Sequence, residues 1–241
     1  MKSATNNQKI IRHIVVDAMF LALITIFTLV PNIGYIPLGP VSIQFISVFV
    51  LIGAACFGWK RGLLYGFFFG LSSLIKVLTI PAGWFDALFL YPWNSVLPRI
   101  IFGLVAGLVF DWIRKHTNKD EFIICCIPAG IILTLFHSFI VLTLIYCFNV
   151  DAILTNMGLV GTSVTAGYVI IVLGSFVGLQ IILEAVVGGA FTPLIMTIIL
   201  RNNLVEFKGK EEKKSIKQQK ANEFRNIFIE ELSKGEELCK K

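Results

Sequence analysis

Apolar residues run along this chain in long blocks, with charges gathered in the gaps between them. Five blocks read off directly: Ile10 to Val30, Val41 to Phe57, Gly62 to Ile80, Leu97 to Ile113 and Phe122 to Phe148. Each is near the ~20 residues that a bilayer-crossing helix needs. A sixth lies within Ala152 to Leu200, which carries a single charge, Glu184. The first part of that stretch, AILTNMGLVGTSVTAG, is rich in Thr, Ser, Gly and Asn and makes a poor lipid-facing span, so one helix is expected from about Gly174 to Leu200. The pattern predicts an all-α membrane protein of six transmembrane helices over residues 10–200. A short N-terminus, residues 1–9, precedes it, and a charged, partly helical or disordered tail, residues 201–241, follows.

Composition agrees: 56% of the 241 residues are hydrophobic and only 15% charged, with a mean hydropathy of +0.81, against about a quarter charged in ordinary soluble domains. Charge placement then sets the topology. Lys2, Lys9 and Arg12 precede or open the first span, Lys60 and Arg61 occupy the second turn, and Arg114, Lys115 and Lys119 the fourth, whereas only Lys76 and Arg99 lie on the other side. The positive-inside rule puts both termini in the cytoplasm of a multi-pass plasma-membrane protein. The first apolar block is too long for a cleavable signal peptide. The net charge of +6 comes from these loops and from the tail, with 11 Lys/Arg against 8 Asp/Glu, so nucleic-acid binding is not implied. Phe224, Ile227, Phe228 and Leu232 give that tail one apolar stripe, suited to the inner leaflet or to a partner. Cys56, Cys125, Cys126 and Cys147 lie in or at the ends of spans without metal-ligand spacing and read as packing residues.

Small residues mark faces where helices meet closely: Gly62, Gly66 and Gly70 in the third span, Gly103 and Gly107 in the fourth, Gly174 and Gly178 in the sixth. Asp17, a turn or two inside the first span, must snorkel or pair, with Arg12 and His13 as nearby partners. Ionisable residues deeper in the bundle are functional hypotheses by default. Lys76 ends the third helix and Arg99 opens the fourth, both on the external side; His137 is near the middle of the fifth. Gln180, Glu184 and Gly188 share one face of the sixth. Arg99 and Glu184 could instead pair and simply pin helices, and His137 could be an interhelical hydrogen-bonder. The third loop adds Trp84, Phe85, Tyr91 and Trp93 around Asn94, split between interface belt and pocket wall. No phosphate-binding glycine loop, zinc-protease motif or nucleophile elbow is present, so no catalytic residue, metal or cofactor is assigned to this chain.

Between the first two blocks lies PNIGYIPLGPVS, Pro31 to Ser42, an uncharged loop with three prolines and two glycines. Its proline and glycine content favours one fixed bent shape, as a lid needs. The string P-x-x-G-x-x-x-x-G-P-V-S-I, a span ending in small residues, a basic turn and a glycine-stepped helix closing in F-G-L-S-S together resemble the substrate-binding S-components of energy-coupling-factor (ECF) vitamin importers. The pantothenate-type branch is the most similar, and L-P-R-I-I-F-G, Leu97 to Gly103, is similar to the family's fourth-helix start. Gln44-Phe-Ile-Ser-Val-Phe-Val departs from the His-Ile-Pro-type string expected there.

The resemblance implies a division of labour. Ala18-Met-Phe-Leu-Ala22 matches the Ala-x-x-x-Ala face that docks on a shared transmembrane coupling subunit, and a pair of ABC-type ATPases would use the ATP. Pro31, Gly34, Pro37, Gly39 and Pro40 would form the gating loop over an external pocket. Its implied substrate contacts are Tyr35, Gln44, Lys76, Trp84, Trp93, Asn94, Arg99, His137, Gln180 and Glu184. Pantothenate leads because a carboxylated solute would use Arg99, held in place beside Pro98, or Lys76, freer to snorkel. Riboflavin or folate is the alternative within the family; a membrane-embedded enzyme using His137 and Glu184 as acid and base is the alternative outside it.

Overall fold

The computed structural model describes residues 6–30, 33–38, 41–80, 84–156 and 166–202, together with Asn222 and Arg225. The apolar blocks become helices. In chain order these are α1 (Asn6–Leu29), α2 (Ile46–Phe57), α3 (Trp59–Thr79), two single turns α4 (Trp84–Ala87) and α5 (Pro92–Ser95), then α6 (Leu97–His116), α7 (Lys119–Asn156) and α8 (Ala166–Arg201). Four stretches among the described residues are long and apolar enough to cross a membrane: Trp59–Thr79, Pro92–His116, Lys119–Asn149 and Val177–Arg201. Ile14–Leu29 and Ile46–Phe57 are shorter apolar helical segments. The tail's apolar stripe lies outside the described residues.

The second block departs most from expectation. Its first four residues are not helical: Val41–Gln44 form β2, paired antiparallel with β1 (Tyr35–Leu38) in the register Tyr35↔Gln44 and Leu38↔Val41. The helix is thereby cut to 12 residues, about 18 Å long against a hydrocarbon core of about 30 Å. Such a helix survives at membrane depth only when protein covers it. Ten of its residues are buried, from Ile46 to Cys56, between α1, α3, α6 and α8.

Both ends of α2 are held. Gly58, at φ +83, turns the chain into α3, and a side chain there would run into the Asp111 carboxylate. Asp111 Oδ2 accepts a hydrogen bond from the Trp59 backbone N–H at 3.1 Å, satisfying a donor at the start of α3. Arg114 donates to the Ala55 carbonyl and sits 3.7 Å from Asp111, placing a cation at the negative end of α2.

Helices α3 and α6 pack backbone to backbone. A Cβ on Gly66 would collide with the Arg99 carbonyl, and one on Gly103 with the Gly62 carbonyl. In the α7–α8 contact Gly130 meets the Gly188 carbonyl in the same way, whereas a Cβ on Gly188 or Gly189 would strike the side chain of Thr134 or Ile131. Gly178, expected at a helix contact with Gly174, instead faces open space among the described residues, with no atom within 4 Å of its would-be Cβ. Asp17 finds partners on another helix, while the side chains of Arg12 and His13 lie outside the described residues. Packing of α1 on α3 brings it to Arg61, 3.1 Å away, and to the Tyr65 hydroxyl, which donates to it at 2.5 Å. One end of the bundle thus gathers Asp17, Arg61, Asp111 and Arg114. The hairpin, Lys76 and Arg99 lie at the other.

Gly66→Ala is expected to lower stability by about 1–3 kcal/mol, as overpacking does. Gly178→Ala is expected to be neutral or to gain up to about 1 kcal/mol from helix propensity. Thermal unfolding of the two variants in detergent checks the contrast.

Candidate functional site

A cavity opens between the hairpin, the end of α3, the start of α6 and the facing sides of α7 and α8, with about 660 Å³ of space between its atoms, open mouth included. Seven of the ten side chains expected to contact substrate line it: Tyr35, Gln44, Lys76, Arg99, His137, Gln180 and Glu184.

Arg99 is the group with most to explain. It is 2% exposed and donates to the Ser95 carbonyl one turn back. The rings of Phe69 and Phe89 lie 4.9 Å and 5.4 Å from its guanidinium carbon. Among the described residues no carboxylate oxygen lies within 4.0 Å of it, and its Nε has no hydrogen-bond partner. The pairing with Glu184 that would have made both residues simple helix pins is therefore not formed.

Glu184, 5% exposed, is engaged elsewhere. Its Oε1 accepts from the Gln44 backbone N–H at 3.0 Å and from Gln180 Nε2 at 2.9 Å, tying the hairpin to α8. Lys76 does not snorkel freely: Asp86, on the single-turn helix α4, holds it at 2.9 Å, and its ammonium lies 4.5 Å from the centre of the Tyr35 ring. Its charge is thus matched within the protein, whereas no such match to Arg99 occurs among the described residues. His137 does not bond across helices through Nε2, which is buried with no partner among the described residues, and its ring lies 4.7 Å from Phe102. Tyr35, in β1, is buried too. Burial pushes its phenol above the ordinary value of 10.0, with Arg99 and Ser73 acting the other way, although no hydrogen bond closes onto its oxygen. It stays a neutral donor over the physiological range.

Of the other three expected contacts, two fall elsewhere and one lies outside the described residues. Asn94 is buried outside the cavity lining, donating to the Leu88 carbonyl at 2.9 Å and to Asn149, so it braces the third loop against α7. Trp93 is 44% exposed and stacks on Tyr91 with ring centres 5.1 Å apart, as an interface aromatic does. The side chain of Trp84 is outside the described residues. So are Pro31, Gly39 and Pro40 of the gating loop and the side chain of Pro37. Gly34 is not a free hinge: a Cβ there would strike the Phe27 carbonyl, and its own carbonyl accepts from Phe45 N at 3.0 Å, rooting the hairpin.

Asp86, Phe89, Ser138, Val141, Leu142, Val177 and Ile181 also line the cavity and were not expected from the sequence. Helical spacing carried a signal for several. Val141 is four residues after His137, and Val177 and Ile181 share the Gln180–Glu184 face. Ala18 and Ala22 lie far from the cavity residues in chain position and are exposed on α1.

A helical membrane bundle with a polar cavity under a short hairpin defines a solute-binding membrane protein. A profile of the family described as "ECF transporter, substrate-specific component" matches residues 12–206, and the chain belongs to that family. It is a transport component of the plasma membrane and not an enzyme, which removes the acid–base alternative for His137 and Glu184. The chain is also 34% identical over 109 residues to the pantothenate transporter PanT of Leuconostoc mesenteroides subsp. mesenteroides, a match covering 43% of this chain and 53% of that protein. It thus aligns with about half the length of this curated relative.

Tyr35→Phe keeps the ring under Lys76 and removes only the hydroxyl. It is expected to leave the melting temperature unchanged and to weaken ligand binding about 2- to 13-fold, the range for one neutral hydrogen bond. Calorimetry against pantothenate, riboflavin and folate, using whichever of them the wild type binds, checks it.

Proposed function

We propose that the protein captures pantothenate from outside the cell, encloses it under the hairpin, and delivers it inward with a transmembrane coupling subunit and two ABC-type ATPases that use the ATP. The observation that carries the substrate is Arg99. A buried guanidinium with no carboxylate partner of its own is costly unless a ligand supplies one. A monoanionic acid supplies it once, through a planar fork that fits a carboxylate. The partial likeness to PanT points the same way.

Orientation rests on charge. Lys60, Arg61, Arg114 and Lys115 collect at the end of the bundle away from the cavity, so the positive-inside rule sets that end in the cytoplasm and the cavity mouth outward. Both termini are then cytoplasmic, residues 10–200 form the binding domain, and residues 201–241 a cytoplasmic tail. Ala18 and Ala22 present a small-residue face without side chains long enough to keep a partner helix away; it serves as the coupling contact.

Arg99→Ala is expected to weaken pantothenate binding roughly 10- to 150-fold, the value of a charge-assisted hydrogen bond. Lys76→Ala is expected to cost far less. Calorimetry on detergent-purified variants with pantothenate, riboflavin and folate tests this: riboflavin binding alone, unchanged in Arg99→Ala, would overturn both the substrate and the role of Arg99.

For the coupling face, Ala18→Leu and Ala22→Leu are expected to abolish ATP-driven uptake in proteoliposomes containing the full complex while leaving binding to the isolated chain intact. Unimpaired uptake in both removes that assignment.

A further inference from the structure

Glu184 is more than nine-tenths buried, and only one of its two oxygens is engaged by the hairpin and α8. Oε1 takes both the Gln44 N–H at 3.0 Å and the Gln180 amide at 2.9 Å. No hydrogen bond to Oε2 occurs among the described residues, although Glu184 is part of the cavity wall. A carboxylate offers about four acceptor sites and, when ionised, no donor. The cavity therefore holds an acceptor carboxylate as well as the guanidinium of Arg99, which has no carboxylate partner among the described residues. These two groups want opposite things from a ligand: Arg99 an anion, Glu184 a hydrogen-bond donor.

We propose that Glu184 reads the uncharged, hydroxyl-bearing end of the ligand through Oε2 while Oε1 holds the hairpin closed, and that it thereby selects the free alcohol over its phosphate ester. This rests on the pantothenate reading, since pantothenate carries a carboxylate at one end and two hydroxyls at the other. A hydroxyl donates to Oε2 the hydrogen bond that it lacks. A phosphate in the same place sets like charges together in a site shielded from water, which rejects it. Because the same carboxylate touches both ligand and hairpin, a ligand that satisfies it also steadies the lid.

The replacement Glu184→Gln separates the two roles. A glutamine carbonyl can still accept from Gln44 N–H, so the hairpin stays latched, but its amide presents a donor to the cavity where the carboxylate presented an acceptor. Equilibrium binding to the full detergent-purified chain is measured for pantothenate, for its 4′-phosphate ester and for the analogue with both hydroxyls replaced by hydrogen. The wild type is expected to prefer pantothenate to the ester by about 100-fold, which is about 2.8 kcal/mol. In Glu184→Gln pantothenate should weaken roughly 10- to 150-fold, the ester should bind more tightly than to wild type, and the dideoxy analogue should barely change. Glu184→Ala should release the ligand faster in every case; should it fail to fold, the Gln variant decides alone. Equal losses for all three ligands in Glu184→Gln would show a lid latch only and overturn the proposal. Failure of wild type to bind pantothenate at all would instead overturn the substrate reading, and with it the selection of alcohol over ester by Glu184.

Discussion

A 12-residue helix at membrane depth cannot be left with bare ends, and much of this structure answers that constraint. Within hydrocarbon, each unsatisfied backbone group costs several kcal/mol, and no water is at hand to relieve it. The start of α2 is met by the hairpin, whose Gln44 N–H finds Glu184, and its end by Arg114 on the Ala55 carbonyl. A carboxylate thus lies at the positive end of α2 and a guanidinium at the negative end, in the sense the helix dipole favours. Shortening α2 leaves room above it. The cavity occupies that room, roofed by the strands that replaced the missing helical turns.

Charge inside the bundle follows from the same economy. Asp17 with Arg61, Asp111 with Arg114 and Lys76 with Asp86 are matched within the protein, as buried ions must be to be tolerated. Arg99 breaks the pattern, flanked by two aromatic rings and one backbone carbonyl. Its position is not adjustable, because its own carbonyl is the wall that Gly66 meets. Fixing the backbone of a charged residue against another backbone pre-organises it, which spares a ligand the ordering that a flexible lysine would demand.

The six helical blocks and seven of the cavity residues were legible in the sequence because both depend on local signals. Long apolar runs announce spans, and lone ionisable residues within them, such as Arg99 and Glu184, announce sites. What failed to show depends on distance along the chain. Val41 to Gln44 belongs to the same apolar block as α2, and nothing local tells a buried strand from a buried helical turn there. Asp17 pairs with Arg61, supplied by another helix 44 residues on, which no local pattern announces. Sequence alone leaves Lys76 to snorkel because Asp86 sits across an intervening loop, and it leaves Asn94 to the ligand because Asn149, to which it donates, is 55 residues on. Trp93 could not be sorted between wall and belt without knowing which side of the short helix α5 faces lipid.

The glycine seam between α3 and α6 divides the molecule into a part that is free to vary and a part that is not. Along that seam any side chain larger than hydrogen collides with a facing backbone, so those positions call for glycine, and the backbone of Arg99 is held with them. Across the cavity, α7 and α8 contribute eight lining side chains, from His137 to Glu184, several on helical faces where one residue can be exchanged for another without shifting a backbone. Such a bundle can therefore change the chemistry of one cavity wall while the backbone of the opposite wall stays in place.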